Sequence, residues 1–129
     1  MVRKSIKKDE LICQENNPGN EMYFIEKGKV KVFKTINSEK VELSILKEND
    51  FFGEMCLFLN SIRYASIIAL ENTKLIVLDK DALLNQIKEK PSFAYKIIRV
   101  MAKRLEAANG IITRLEGEKK SLKIMYGNL

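Results

Sequence analysis

Phe51 to Ala69 read FFGEMCLFLNSIRYASIIA, and this stretch decides the fold. Gly53 and Glu54 open it on a loop, and the apolar run Met55-Cys56-Leu57-Phe58-Leu59 follows. Asn60-Ser61 turn the chain, and Arg63 stands nine positions after Glu54. Beyond Arg63 the small and β-branched run Ala65-Ser66-Ile67-Ile68-Ala69 reads as a strand. A short helix starting just after a glycine points N–H groups outward, which suits an anion. The glycine also lets a ligand approach the main chain. Arginine adds a planar, permanently charged fork that grips a phosphate at two points. A carboxylate beside a phosphate is repelled by it, so Glu54 makes sense if it accepts hydrogen bonds from other donors, such as sugar hydroxyls. Phosphate and ribose recognised by one short cassette point to a small nucleotide.

Working outward, turn signals and short strands recur on both sides. SIKKDELICQE, residues 5–15, reads as a first strand around Leu11-Ile12-Cys13. Asn16-Asn17-Pro18-Gly19-Asn20 is a dense turn. MYFIEKGKVKVFK then predicts two strands about a turn at Gly28, which is expected at positive φ, with Val30 and Val32 inward and the lysines outward. Asn37 to Lys40 turn again, Val41 to Leu46 alternate, and Lys47 to Asp50 lead into the cassette. Lys74 to Leu78 form the last strand. Strands this short and regularly spaced predict a β-roll or jelly-roll-like barrel of about eight strands.

After residue 78 the period changes. Asp79 or Asp81 can cap a short helix, Ala82 to Glu89, which stops at Pro91, and Ser92 can cap a longer one. On that helix Ile98, Met101, Leu105, Ala108, Ile112, Leu115 and, after Lys119, Leu122 recur in alternating steps of three and four, a heptad seam. A seam this long exceeds what one small barrel can cover, so it is expected to dimerise; the alternative is packing on its own barrel. Gly110 and Gly117 each weaken the helix by ~1 kcal/mol relative to alanine, most consequentially in the tail after Gly117. The expected organisation is one domain: residues 1–92 as a β-roll with a short helix, and 93–125 as a long C-terminal helix.

Composition narrows the function. The chain has 129 residues, enough for one domain with an adequate core. No apolar run approaches the ~18 residues of a membrane span, and MVRKSIKKDE carries no leader-like apolar segment, so a cytoplasmic protein is expected. Histidine is absent, which removes Ser-His and Cys-His catalysis and imidazole-ligated zinc. The two cysteines, Cys13 and Cys56, cannot close a zinc site alone and read as reduced core residues. With no nucleophile or acid–base constellation, an enzyme is not expected. The net charge of +6 is scattered, which reads as a solvated basic surface rather than a nucleic-acid face.

FGE, an apolar turn and R-x-A-S at this spacing resemble the phosphate-binding cassette of the cyclic nucleotide-binding domain. Catabolite-activator-type regulators, regulatory subunits of cyclic-nucleotide-dependent kinases and gated channels share that domain. NPGNEMYFIEKGKVKV is a second matching block, and the resemblance spans roughly residues 5 to 115. It implies a β-roll that binds cAMP, or cGMP, without a metal. Arg63 would pair with the cyclic phosphate and Glu54 with the ribose 2′-OH. Gly53 and the amides of Cys56 and Leu57 would serve the phosphate, with Met55 and Ala65 in the same cassette. Val30, Val32 and Ser44 would line the pocket, and Asn109 would reach toward the adenine edge. The long helix would be the dimer interface and touch the base.

The chain also departs from the family pattern. Asn16 replaces a common glycine, and Ile62 a common proline. Tyr64 stands where the family has alanine, serine or threonine, a hydroxyl there going with cGMP preference; its ring could stack on a base, crowd the pocket or face outward, which leaves the purine open. The helix that usually precedes the first strand is expected to be absent or very short. No DNA-reading helix-turn-helix is expected within the chain. The expected function is therefore a cyclic nucleotide sensor coupled to its long helix and to a dimer or partner. The alternatives are a dimeric scaffold with a degenerate pocket and the sensor fragment of a transcription regulator.

Overall fold

The computed structural model describes residues 2–126, with the side chain of Tyr126 excluded. Eight strands and three helices follow one another. The strands are β1 (Val2–Ile6), β2 (Leu11–Cys13), β3 (Met22–Lys27), β4 (Lys29–Ile36), β5 (Glu39–Lys47), β6 (Phe51–Phe52), β7 (Ser66–Ala69) and β8 (Thr73–Leu78). Helix α1 (Glu54–Leu59) lies between β6 and β7; α2 (Lys80–Glu89) and α3 (Ser92–Tyr126) come last.

Two four-stranded sheets, in the orders β1-β8-β3-β6 and β2-β7-β4-β5, are antiparallel throughout. Their apolar faces supply one core, including Ile6, Tyr23, Ile25, Val30, Val32, Phe52, Ile67 and Leu75. Antiparallel strands covered on one face bury every second residue. On β4 this puts Val30 and Val32 in the core while Lys29 and Lys31 stay outside it.

The turns hold the register. Gly28 has φ 111°, and a Cβ there would meet Thr73 Oγ1 at 2.4 Å, so the β3–β4 turn requires glycine. Asn16, at φ 72°, occupies the left-handed region that asparagine tolerates best after glycine, which accounts for its standing at a glycine position. The turn into the cassette is tied to β3: Ile25 N donates to Asp50 O and Asn49 N to Ile25 O, both at 2.9 Å.

Two details differ from the sequence reading, and one choice it left open is decided. The segment ahead of Leu11 forms a separate strand that the reading of residues 5–15 did not give: β1 pairs along its whole length with β8, Val2 opposite Val77 through Ile6 opposite Thr73. The α2 cap is Asp79, whose Oδ1 accepts the Ala82 amide at 2.8 Å. Ser92 lies inside α3, whose entry is tied instead by Phe93 N to Lys90 O and Ala94 N to Pro91 O.

The chain divides into two compact units, Met1–Asn85 and Gln86–Leu129. The first holds the roll. In the second, α3 runs unbroken through Gly110 and Gly117 for 35 residues, about 50 Å at the usual helical rise. Its seam residues Ile98, Met101, Leu105, Ala108, Ile112, Leu115 and Leu122 are all exposed.

Candidate functional site

The site is built around Arg63. Its main chain is locked to the Asn16–Asn17 turn: Arg63 N donates to Asn17 O and Asn16 N to Arg63 O, both at 2.8 Å. That exchange aims the side chain inward, where it is only 7% exposed. The guanidinium then threads between two glycines. A Cβ on Gly19 would lie 2.3 Å from Arg63 Nε, and one on Gly53 2.7 Å from Nη1. Either methyl would occupy the space the fork now fills.

Nη1 donates to Glu21 O at 3.0 Å and to Gly53 O at 3.3 Å. The guanidinium carbon lies 5.5 Å from the Tyr23 ring centroid, and Tyr23 stacks on Phe52 at 5.0 Å. Among the described residues no carboxylate lies within ion-pair distance of Arg63. The guanidinium is thus buried on two main-chain carbonyls and an aromatic face, with the Glu21 carboxylate lining the hollow beside it and acting on Tyr23 but not in direct contact with the guanidinium. Burial of a charge without a direct ion pair favours an anion at the site.

Gly53 caps α1 in the left-handed region, at φ 83°. The Leu57 amide closes the first turn on Gly53 O in a long bond of 3.5 Å, so in this state it is engaged within the protein. Cys56 and Leu57 side chains are both buried.

Gly53, Met55, Cys56, Arg63, Tyr64 and Ala65 come together as the lining of one small cavity, with Cys13 and Ile67 completing it. Its volume is about 20 Å³, room for roughly one water. On the other side of Arg63 is an open hollow of about 230 Å³, lined by the Asn17–Glu21 loop, Cys13, Gln14 and Tyr23. Arg63 and Cys13 belong to both walls.

Other sequence candidates fall elsewhere. Glu54 is half-buried and does not line the cavity. Val30 and Val32 are core residues. Ser44 is exposed on β5 and pairs with Val32 across the sheet. Asn109 lies exposed on α3, in the second unit, its carbonyl accepting Thr113 Oγ1.

Gly19, Glu21, Cys13 and Tyr23 are the residues that sequence reasoning did not assign to the site. Only the Pro-Gly turn hinted at the first. Burial pushes the Cys13 thiol up to about 11, against the lowering pull of Arg63. Burial, reinforced by Cys13, pushes the Tyr23 phenol up to about 12. Both hold their protons near neutrality, so neither side chain is poised as a nucleophile or base. Among the described residues no cluster of three metal-ligating side chains occurs, and no helix is long and apolar enough to cross a membrane.

An antiparallel β-roll with a buried arginine beneath a glycine-led helical turn defines a ligand-binding domain of the jelly-roll class. More particularly, the chain belongs to the cyclic nucleotide-binding domain family, whose model matches residues 3–90.

Similar proteins bear this out. The CRP-like cAMP-activated global transcriptional regulator of Mycobacterium tuberculosis is 30% identical over 105 residues, which cover 81% of this chain and 47% of the relative. The crystal structure of the Thermus thermophilus catabolite activator protein superposes with a TM-score of 0.81 at 28% identity, covering 89% of this chain and 55% of that one. The EAL enzyme Bd1971 has been solved in a cAMP-bound form similar to this chain (TM-score 0.63, 34% identity, covering 97% of this chain and 34% of that one). Its cGMP-bound form is comparably similar (TM-score 0.63, 36% identity, covering 81% and 28%). The chain spans about half the length of the transcriptional regulators it matches.

Proposed function

We propose that this chain is a cytoplasmic cyclic nucleotide sensor whose ligand is cAMP, with Arg63 as the partner of the cyclic phosphate. One observation carries the reading: a buried guanidinium with no carboxylate in direct contact among the described residues, set between two glycines at which an added Cβ would collide with it. A cyclic phosphate carries the single negative charge that such a site needs. The cAMP-activated M. tuberculosis relative supports the choice of nucleotide. Ligand entry requires Arg63 to swing or the Gly53 loop to open, because the cavity at the cassette holds little more than a water.

Glu54 would accept the ribose hydroxyl and the Cys56 amide would face the phosphate once the cassette has opened. The exposed seam of α3 would pair with a second copy, and ligand would act by favouring one of two states of that helix. The protein is read as binding rather than turning over its ligand, in keeping with the regulatory domain family it belongs to.

The smallness of the cavity favours one other reading, a dimeric scaffold whose pocket no longer opens. Equilibrium titration with cAMP, cGMP and 5′-AMP separates the two. The sensor binds cAMP saturably and discriminates against the doubly charged, acyclic 5′-AMP; the scaffold binds none of them.

A further inference from the structure

Cys13 and Cys56 are far apart in sequence, and both are free and buried. The roll brings them to one place: each lines the small cavity that Gly53, Arg63 and Ala65 also line. Their thiols sense one another. Burial is the main cause that raises the Cys13 pKa, Arg63 pulls it down, and charge on Cys56 adds to the rise.

The cavity has one fixed wall and one movable wall, with a thiol on each. Cys13 ends β2, which pairs with β7, and its side chain sits in the core cluster with Ala65 and Ile67. Cys56 rides on α1, a helix of six residues that buries only Cys56 and Leu57. The first turn of that helix closes through the 3.5 Å bond from Leu57 N to Gly53 O. A helix this short has little stability of its own, and so long a bond holds it weakly. Movement of α1 and the Gly53 loop is what admits a ligand to Arg63. A covalent bond from Cys56 to the fixed wall would therefore set whether the site opens.

We propose that Cys13 and Cys56 form a reversible disulfide that ties the cassette to β2 and shuts the site. The inference rests on the reading of Arg63 as the phosphate partner. The oxidant is a low-molecular-weight disulfide such as oxidised glutathione. The Cys56 thiolate, on the wall that moves, attacks one sulfur of the oxidant; that S–S bond breaks, and one small thiolate leaves and takes up the proton that Cys56 lost. The Cys13 thiolate then attacks the Cys56 sulfur of the mixed disulfide, and the second small thiol leaves as the cassette closes. Two cysteine thiols and one small disulfide become one protein disulfide and two small thiols, and an excess of small thiol runs the exchange backward. Burial keeps the Cys13 thiol protonated near neutrality, and the thiolate is the reacting form, so exchange waits for the cassette to open.

The test equilibrates the full chain in glutathione buffers from fully reducing to fully oxidising, quenches it in acid and weighs it intact, with cAMP titrated into each form by calorimetry. Wild type converts to a single-chain species lighter by two hydrogens and carrying no glutathione. That species binds cAMP at least about tenfold more weakly than the reduced chain. It unfolds at a higher temperature, because the cross-link restricts the unfolded chain, and it recovers its affinity in dithiothreitol. Cys13→Ala and Cys56→Ala cannot form the bond, and the double variant keeps one cAMP affinity across the whole buffer series.

A wild type that stays reduced, stops at glutathione adducts or cross-links between chains overturns the disulfide. A disulfide that forms and leaves cAMP affinity unchanged, or lowers the unfolding temperature, overturns the lock. If the reduced chain binds no cAMP, the Arg63 reading falls and the lock with it, while the mass still decides whether the two thiols pair.

Discussion

Arg63 and the two glycines around it carry the most testable chemistry. Gly19→Ala places a methyl 2.3 Å from Arg63 Nε without a left-handed backbone to strain. It should displace the fork and weaken cAMP roughly ten- to hundredfold, the value of a charge-assisted hydrogen bond, with a smaller change in the urea midpoint. Gly53→Ala adds left-handed strain at φ 83° and should also cost about 1–2 kcal/mol of stability in the same urea titration. Cys13 and Tyr23 predict a pH dependence. Their folded pKa values, about 11 and about 12, lie above the ordinary 9.0 and 10.0, so the unfolded chain releases these protons first. Their contribution is intact below about pH 9 and is lost as pH rises through 11 to 12, on the order of 2–3 kcal/mol for Cys13 alone. Urea midpoints at pH 8 and pH 10.5 measure this, and Cys13→Ala should flatten the slope. The Glu54-to-Arg63 spacing was legible because it is local and regular. The carbonyl of Glu21 that receives Arg63 lies 42 positions away in sequence, and a Pro-Gly turn reads the same whether or not a guanidinium packs on it.

At the scale of elements, the strands announced by alternation and turns formed where expected, and the misses share a cause. β1 exposes four of its five residues and is held by main-chain pairing with β8, so it has no apolar period to read. β5 alternates Val41, Leu43 and Ile45, yet these are exposed, because it is an edge strand with an irregular register opposite Val32 and Phe33. The period of α3 was legible, and Gly110 and Gly117 did not interrupt it; a Cβ at either would meet nothing within 4 Å. Gly117→Ala should therefore raise helix stability by about 1 kcal/mol, visible as increased ellipticity in the thermal melt. If the exposed seam pairs two copies, Ile112→Asp shifts the sedimenting species from dimer to monomer while the melt of the roll is kept. An unchanged sedimentation coefficient would remove the seam from the account.

The whole molecule is a family domain of known architecture with one unusual economy: among the described residues, it buries a permanent charge with no carboxylate in direct contact. Stability spent in this way is recovered when an anion binds the folded state alone, which raises the unfolding temperature with ligand concentration. Thermal unfolding of wild type and Arg63→Met, each with and without cAMP, puts that claim to the test. Arg63→Met removes the buried charge but also leaves the Glu21 and Gly53 carbonyls without that donor, which costs about 1–3 kcal/mol. Unliganded Arg63→Met is therefore predicted to unfold at or below the wild-type temperature, and only wild type should rise on adding cAMP. A ligand-induced rise in Arg63→Met equal to that of wild type would contradict the account.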